Sequence, residues 1–324
     1  MLEMMTYRFG VLLTFDHQGI KSLPNEIIGI PLYGLFIMLG VVMALGLGLL
    51  EGPKIGLKNN DIIDGLLIIL PLSILGARIW YVIFEWERFK DFLPSIIGIV
   101  QTDEGLGFSG LSGLAIHGGF FVAVIASWIY TKKRKIDFMK ATDLIAPGFL
   151  IAQASGRWGN FFNQEAHGGP ITGVASETLS LAERPELWDT QRAFLSNTLR
   201  LPDFITNNMF IFDREFGSNY FHPTFLYESL WNVLGFVFVL ILRRLKFTRS
   251  GDLIGFYLIW YSIGRFFIES LRTDSLYLWN TGIRTAQVVS ILMILAGIIL
   301  IIFNHKIIKR KHYVTVLAED GVKS

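Results

Sequence analysis

Gly156-Arg157-Trp158-Gly159-Asn160-Phe161-Phe162-Asn163-Gln164-Glu165-Ala166-His167-Gly168-Gly169 is the stretch that organises this chain. It closes a long apolar segment with an arginine, two asparagines, a glutamine, a glutamate, a histidine and four glycines. Polar groups at the end of an apolar helix cost free energy unless they meet partners or a ligand. What they face is therefore the functional question.

The surrounding composition sets the class. Of 324 residues, 52% are hydrophobic and only 17% charged, against about 25% charged in a soluble domain. The expectation is an all-α integral membrane protein. Cysteine is absent, which excludes disulfides, thiolate metal sites and a cysteine nucleophile; any thiol chemistry must use a thiol brought by a substrate. The net charge of +2 says little, because placement of charge matters more than its sum in a membrane protein. Residues 1–28 carry Arg8, Asp16, His17 and Lys21 and lack a basic start leading into a short apolar core, so no signal peptide is expected there.

Spanning a bilayer takes roughly 20 apolar residues. Stretches at about 29–50, 62–84, 112–130, 141–160, 224–242, 252–271 and 284–303 meet or approach that length and predict seven transmembrane helices. The segment 92–100 is too short and reads as interfacial, and no internal repeat or low-complexity tract interrupts the pattern. Basic residues set the orientation. They are dense in loop 131–140 (Lys132, Lys133, Arg134, Lys135, Lys140), in loop 243–251 (Arg243, Arg244, Lys246, Arg249) and in the tail (Lys306, Lys309, Arg310, Lys311, Lys323), with Lys54 and Lys58 in loop 51–61. These loops belong in the cytoplasm, which puts the N-terminus outside and the C-terminus inside. Residues 161–223, with Pro170, Pro185, Pro202 and Pro223 and an amphipathic helix near 186–200, become a small extracytoplasmic head between spans four and five.

On this topology the unusual polar residues share one leaflet. Tyr33 begins span one, Arg78 ends span two, and His117 opens span three beside Gly118 and Gly119. Arg157 and Asn160 end span four, His222 and Tyr227 open span five, and Tyr261, Arg265 and Glu269 occupy the outward half of span six. Each has a plain structural reading. Arg78, beside Trp80 and Tyr81, suits a snorkelling interfacial residue. Arg265 and Glu269 have the spacing of an intrahelical ion pair. Asn163, Gln164 and His167 suit the structure of the head. A structural metal at His117, Glu165, His167 and His222 lacks any ligand pair at helical spacing, so neither a metal nor a cofactor is expected. Taken together, the polar residues imply a cavity open to lipid in the outer half of the membrane. An arginine at the bilayer centre costs about 2.5–3.5 kcal/mol, so even interfacial arginines call for anionic partners. Glu269 neutralises one, and the other fits a phosphate, which a planar guanidinium binds well.

The residues also carry a resemblance. Gly156-Arg157-Trp158-Gly159-Asn160-Phe161-Phe162-Asn163-Gln164-Glu165-x-x-Gly168 closely resembles the signature of the bacterial prolipoprotein diacylglyceryl transferases. His117-Gly118-Gly119 looks like that family's HGG element and His222-Pro223-Thr224-Phe225-Leu226-Tyr227-Glu228 like its HPxxLYE element. Tyr261-x-x-x-Arg265-x-x-x-Glu269 and Arg272-Thr273-Asp274 resemble its late arginine region, and Tyr33-Gly34 its first-helix tyrosine. The run Gly110-Leu111-Ser112-Gly113-Leu114 departs from the pattern, with no tryptophan before His117.

The resemblance implies transfer of the diacylglyceryl group of phosphatidylglycerol to the lipobox cysteine of a prolipoprotein, giving a thioether and glycerol 1-phosphate in the bacterial cytoplasmic membrane. Nucleic acid is not among the expected partners. Expected catalytic residues are His117, as base for the thiol, with Arg157 and Arg265 on the phosphate. Asn160, Glu165 and Gly168 would shape the headgroup pocket, Tyr261 and Glu269 would orient Arg265, Tyr33 and Arg78 would contact substrate, and His222 would help hold the precursor. The rival readings are a secondary transporter, which requires midplane polar residues and repeats, a non-catalytic lipid-binding protein, and an intramembrane protease built on Ser112 and His117.

Overall fold

The computed structural model describes residues 4–6, 12–16, 19–20, 23–24, 26–102, 105–108, 113–180, 182–273, 275–278 and 281–313. Arg8, His17, Lys21, Gly110, Leu111, Ser112, Asp274 and Lys323, all used in reading the sequence, lie outside them. The architecture is mostly helical: α1 (Leu32–Glu51), α2 (Asn59–Phe84), α3 (Ile116–Arg134), α4 (Phe138–Asn163), α5 (Arg184–Ala193), α6 (Asp203–Asn208), α7 (Thr224–Leu242), α8 (Asp252–Glu269) and α9 (Thr285–Ile302).

Among the described residues, four helices are long and apolar enough to cross a membrane: α1, α2, α7, and α9 with the π turn that extends it to Ile307. The seven expected spans all form helices, but α3, α4 and α8 fall short of that apolarity. The cause is in their sequences. Lys132, Lys133 and Arg134 end α3, Lys140, Asp143 and Arg157 sit in α4, and α8 carries Asp252, Arg265 and Glu269. The apolar helices turn Ile79, Leu234 and Ile299 outward and exposed, a surface suited to lipid rather than water. The 92–100 segment forms a 3-10 turn, Leu93–Ile97, leading into a hairpin of Ile99–Thr102 with Gly105–Phe108.

The chain divides into two compact units, one of Met1–Leu47 with Ile145–Val314, the other of Gly48–Leu144 with Thr315–Ser324. In the first, small residues let helices approach closely. A Cβ on Gly40 of α1 would meet the Ala152 Cα of α4 at 2.8 Å, and Gly148 of α4 faces Ala44 of α1 the same way, one turn along. Gly255 of α8 and Gly297 of α9 face each other's carbonyls. Between α7 and α8, Trp231 and Trp260 stack with ring centroids 4.4 Å apart.

In the expected head, residues 161–223, Phe161, Leu195, Ile205, Met209, Phe210, Tyr220 and Phe221 bury together with Phe225 of α7 in one cluster, beside α5, α6 and a hairpin of Phe210–Asp213 with Gly217–Tyr220. The amphipathic helix expected near 186–200 is α5, which passes into a π turn at Phe194–Thr198. Gln191, fully buried, ties helix to hairpin: its Nε2 donates to Asn219 Oδ1 at 3.0 Å and its Oε1 accepts from the Tyr220 amide at 2.9 Å.

In the second unit α2 and α3 cross at Gly76 and Gly118, where an added Cβ on Gly118 would stand 2.5 Å from the Gly76 carbonyl. At their far ends Tyr130 donates to the Asp61 carbonyl at 2.7 Å and Arg134 pairs with Asp64 at 2.6 Å. Pro71 is accommodated inside α2.

Candidate functional site

The signature stretch begins in the last turns of α4 and leaves it through a tight loop. Gln164 and Ala166 both adopt positive φ, at 51° and 56°. A non-glycine residue held there costs of order 1–3 kcal/mol unless its surroundings fix it. They do: the Glu165 amide bonds the Asn160 carbonyl at 3.1 Å, Thr224 Oγ1 donates to the Ala166 carbonyl at 2.7 Å, and Gln164 Nε2 reaches the Asn208 carbonyl at 3.2 Å. The turn aims the Glu165 carboxylate back at α4, where Asn160 Nδ2 donates to its Oε1 at 3.0 Å and Asn163 Nδ2 at 3.2 Å.

Asn160 in turn accepts from Arg157 Nη1 at 3.2 Å. The other terminal nitrogen of Arg157 meets Glu228 of α7, Nη2 to Oε2 at 2.5 Å. Glu228 is 4% exposed and is the meeting point of the site. Its Oε1 faces Arg265 Nη1 at 3.3 Å and Arg272 Nη1 at 3.7 Å. Arg265 is held more tightly by Glu269 one turn along α8, Nη2 to Oε2 at 2.6 Å, and Arg284 donates to the Glu269 main-chain carbonyl. Guanidiniums from α4, α8 and the loop after α8 thus converge on one buried carboxylate from α7.

The glycines of the signature have different surroundings. Gly168 pairs with Arg272 in a β-bridge, its amide bonding the His222 carbonyl at 3.0 Å, while Gly169 bonds the Leu271 carbonyl at 2.8 Å. A Cβ at Gly168 would lie 2.7 Å from that of His222. Gly159 leaves room for Tyr33, whose Cδ2 would stand 2.7 Å from an added Cβ. Around Gly156 there is open space.

The structure therefore brings together Arg157, Asn160, Glu165, Arg265 and Glu269, with Gly168 and His222 knitted beneath Arg272 and Tyr33 packed on the adjoining turn. His222 also bonds Tyr227 through Nδ1 at 3.3 Å, and burial holds its imidazole below its usual pKa, opposed by a backbone bond at Ile171. Tyr261 stacks on Tyr257 with centroids 5.9 Å apart. His117 and Arg78 belong to the other unit. His117 is exposed in the first turn of α3.

Two expected residues have partners that spacing does not reveal. Arg157 lies against Glu228, a carboxylate that it shares with Arg265 and Arg272. Arg78, expected at the interface or against substrate, is buried among loop carbonyls. It is 6% exposed, and its guanidinium donates to the carbonyls of Ser95, Ile96 and Gly113 at 2.7, 2.7 and 3.0 Å, which pins the loops between α2 and α3. The sequence reading also missed Glu228 and Arg272 as site residues. A signal was available: Glu228 is a carboxylate four residues into an apolar helix, as costly there as the arginines that drew attention. Among the described residues, no three His, Asp or Glu side chains gather as a metal site.

Residues 24–303 match the family described as prolipoprotein diacylglyceryl transferase. Proteins named phosphatidylglycerol–prolipoprotein diacylglyceryl transferase from Bacillus cereus and from Bacillus thuringiensis subsp. konkukian are 44% and 45% identical over 274 residues, covering 85% of this chain and 87% of theirs. One of the same name from Bacillus anthracis is 44% identical over the same length. The match spans every residue of the arginine–glutamate cluster, and the chain belongs to the prolipoprotein diacylglyceryl transferase family.

Proposed function

We propose that this chain transfers the diacylglyceryl group of phosphatidylglycerol to the thiol of a prolipoprotein cysteine. The observation that carries the reading is the convergence of Arg157, Arg265 and Arg272 on Glu228 at 2.5, 3.3 and 3.7 Å. Guanidiniums gathered this way suit a phosphate oxygen, and the chain has no cysteine of its own to alkylate. The thiolate sulfur attacks the glyceryl carbon that carries the phosphate. A carbon–sulfur bond forms, the carbon–oxygen bond breaks, and the electron pair leaves on glycerol 1-phosphate. An ordinary thiol, with a pKa of about 8.5, needs a base to become that nucleophile. The leaving phosphate gains a negative charge, which fixed guanidiniums stabilise as it develops.

In this reading Arg157 holds the donor phosphate, with Asn160 and Glu165 setting the angle of its guanidinium. Arg265, steadied by Glu269, and Arg272 meet the departing oxygen. The open space at Gly156 admits the headgroup, Gly168 shapes the pocket by seating Arg272 beside His222, and Tyr33 and Tyr261 line the approach. His117 is assigned as the base on its residue type and on the resemblance of His117-Gly118-Gly119 to the family element. The protein is a multi-pass membrane protein. The finer topology remains our proposal: seven spans, N-terminus outside, residues 161–223 as an extracytoplasmic head, and a site toward the outer leaflet of the cytoplasmic membrane, where the lipobox of a signal peptide arrives. The basic loops and the polar residues of α3, α4 and α8 support it.

The test is incubation of purified protein with phosphatidylglycerol vesicles and a lipobox peptide. A mass gain of one diacylglyceryl group on the cysteine is expected. Lipid binding without that gain would leave a non-catalytic lipid-binding protein and overturn the transferase reading.

A further inference from the structure

The helices that build the arginine–glutamate cluster continue away from it together. One turn from Arg157 along α4 lies Gln153, one turn from Glu228 along α7 lies Asn232, and one turn from Arg265 along α8 lies Tyr261, with Tyr257 a further turn on. Residues four apart share a face of a helix, so each polar side chain follows a member of the cluster, ~6 Å nearer the middle of its helix. The helices stay in contact over this length. Ser229 Oγ donates to the Ala154 carbonyl at 3.1 Å, Gln153 Nε2 donates to the Tyr257 hydroxyl at 2.9 Å, and Trp231 stacks on Trp260. Two amides in this tier have an unused acceptor. Asn232 is 2% exposed, and its Oδ1 has no hydrogen-bond partner among the described residues. Gln153 Oε1 is buried and lacks one as well. Buried polar atoms are seldom left this way, because the loss of water goes uncompensated. Two of them beside a substrate site point to a ligand that brings donors.

The two substrates of the proposed reaction differ in this respect. Below its phosphate the lipid donor has ester carbonyls and hydrocarbon, which donate no hydrogen bonds. The acceptor is a peptide, and every non-proline residue of an unwound segment carries a main-chain N–H that must be paired inside the membrane. We propose that Asn232 and Gln153 form a subsite for the prolipoprotein main chain. Their amide oxygens accept N–H groups of the residues that precede the cysteine, while Arg157 and Arg265 hold the phosphate one turn away. The direction fits the proposed topology: a signal segment whose cysteine reaches the cluster from the bilayer has its preceding residues deeper, at the level of this tier. The inference rests on the proposed transferase reading, because it takes the peptide from that reaction.

The test measures half-saturating concentrations of lipobox peptide and of phosphatidylglycerol separately, with purified protein in vesicles. Asn232→Leu, similar in shape but without the acceptor, is expected to raise the value for peptide by about tenfold or more and to leave that for phosphatidylglycerol unchanged. Gln153→Met combined with Tyr257→Phe removes both partners of their bond, leaves no orphaned hydroxyl, and is expected to act the same way. Half-saturation is insensitive to uniform loss of folded protein. A second arm uses peptides N-methylated singly at the positions preceding the cysteine. At least one methyl group is expected to raise the peptide value for the unaltered protein by about tenfold and to have no further effect on one of the two variants. A merely structural role would lower the thermal midpoint without that loss of sensitivity. Unchanged peptide half-saturation in both variants would overturn the proposal, as would N-methyl penalties as large in both variants as in the unaltered protein. A rise in the phosphatidylglycerol requirement in place of the peptide's would assign the amides to the lipid esters and overturn it too. Failure of the transferase reading shows separately, as absence of diacylglyceryl transfer to the unmethylated peptide by the unaltered protein.

Discussion

Trp231 and Trp260 each donate an indole N–H to the other's main-chain carbonyl, both at 2.9 Å, across the α7–α8 interface. The exchange is reciprocal in packing as well. Trp231 fills the space over Gly264 and Trp260 the space over Gly235. The pair fixes the register of two helices, and it lies one turn or so from Glu228 on α7 and Arg265 on α8. Gly235→Ala or Gly264→Ala would push a methyl group into an indole ring. Overpacking of this kind costs about 1–3 kcal/mol. Each variant is expected to lower the thermal midpoint in detergent and to lose transferase activity with it. A midpoint equal to that of the unaltered protein would show that the rings, not the glycines, are free to give way.

Arg157 is expected to be irreplaceable by lysine. Its two terminal nitrogens serve different partners, Glu228 at 2.5 Å and Asn160 at 3.2 Å, and a single ammonium cannot span both in the same plane. Arg157→Ala is expected to reduce diacylglyceryl transfer by about 10²–10³-fold, the scale of losing one positioned donor to a developing oxyanion. Arg157→Lys should recover only part of that. Rates in vesicles of fixed phosphatidylglycerol content, with folding followed by circular dichroism, decide the point. Near-normal turnover by the alanine variant would remove Arg157 from the reaction.

Much of this arrangement is legible in the sequence, and what is not has a physical reason. The helices at 32–51, 59–84 and 224–242 follow runs whose apolar length announces them. α3 starts at Ile116 rather than near 112 because Ala115 before it is extended, with ψ 113°. Within the site, Arg157, Arg265 and Glu269 stand out as charges in apolar helices, and the Arg265–Glu269 pair follows from helical spacing. The role of Glu228 does not follow from spacing. It sits 71 positions from Arg157 and 37 from Arg265, and only the docking of α4, α7 and α8 makes them neighbours. The same holds for Arg78, whose acceptors at Ser95, Ile96 and Gly113 are loop carbonyls that no side-chain pattern reveals.

Acid sensitivity is expected from His222. Burial lowers its pKa in the folded protein, so the unfolded chain takes up the proton first, at an ordinary value near 6.5. Above that pH both states are neutral there and nothing is lost. As pH falls below it, the unfolded state binds more protons and stability declines, until the folded imidazole also titrates. His222→Asn is expected to flatten this limb, giving a smaller fall in thermal midpoint between pH 7 and pH 5 than the unaltered protein. Parallel curves would assign the acid limb to other groups.

Gly156 and Gly168 should respond oppositely to the same substitution. A methyl group at Gly168 would meet His222 Cβ at 2.7 Å, the Leu271 carbonyl at 3.1 Å and Thr224 Cγ2 at 3.1 Å. These are parts of the strand pairing that seats Arg272, so Gly168→Ala is expected to lower both stability and transfer. At Gly156 an added methyl meets nothing within 4 Å, and in a helix interior alanine is favoured over glycine by up to about 1 kcal/mol. Gly156→Ala is therefore expected to fold at least as well as the unaltered protein. If that open space, one residue from Arg157, admits the donor headgroup, the same variant raises the phosphatidylglycerol concentration needed for half-maximal transfer while leaving the thermal midpoint unchanged or higher. Kinetics at varied phosphatidylglycerol mole fraction separate the two effects, and an unaltered half-saturation would place the headgroup elsewhere than beside Gly156.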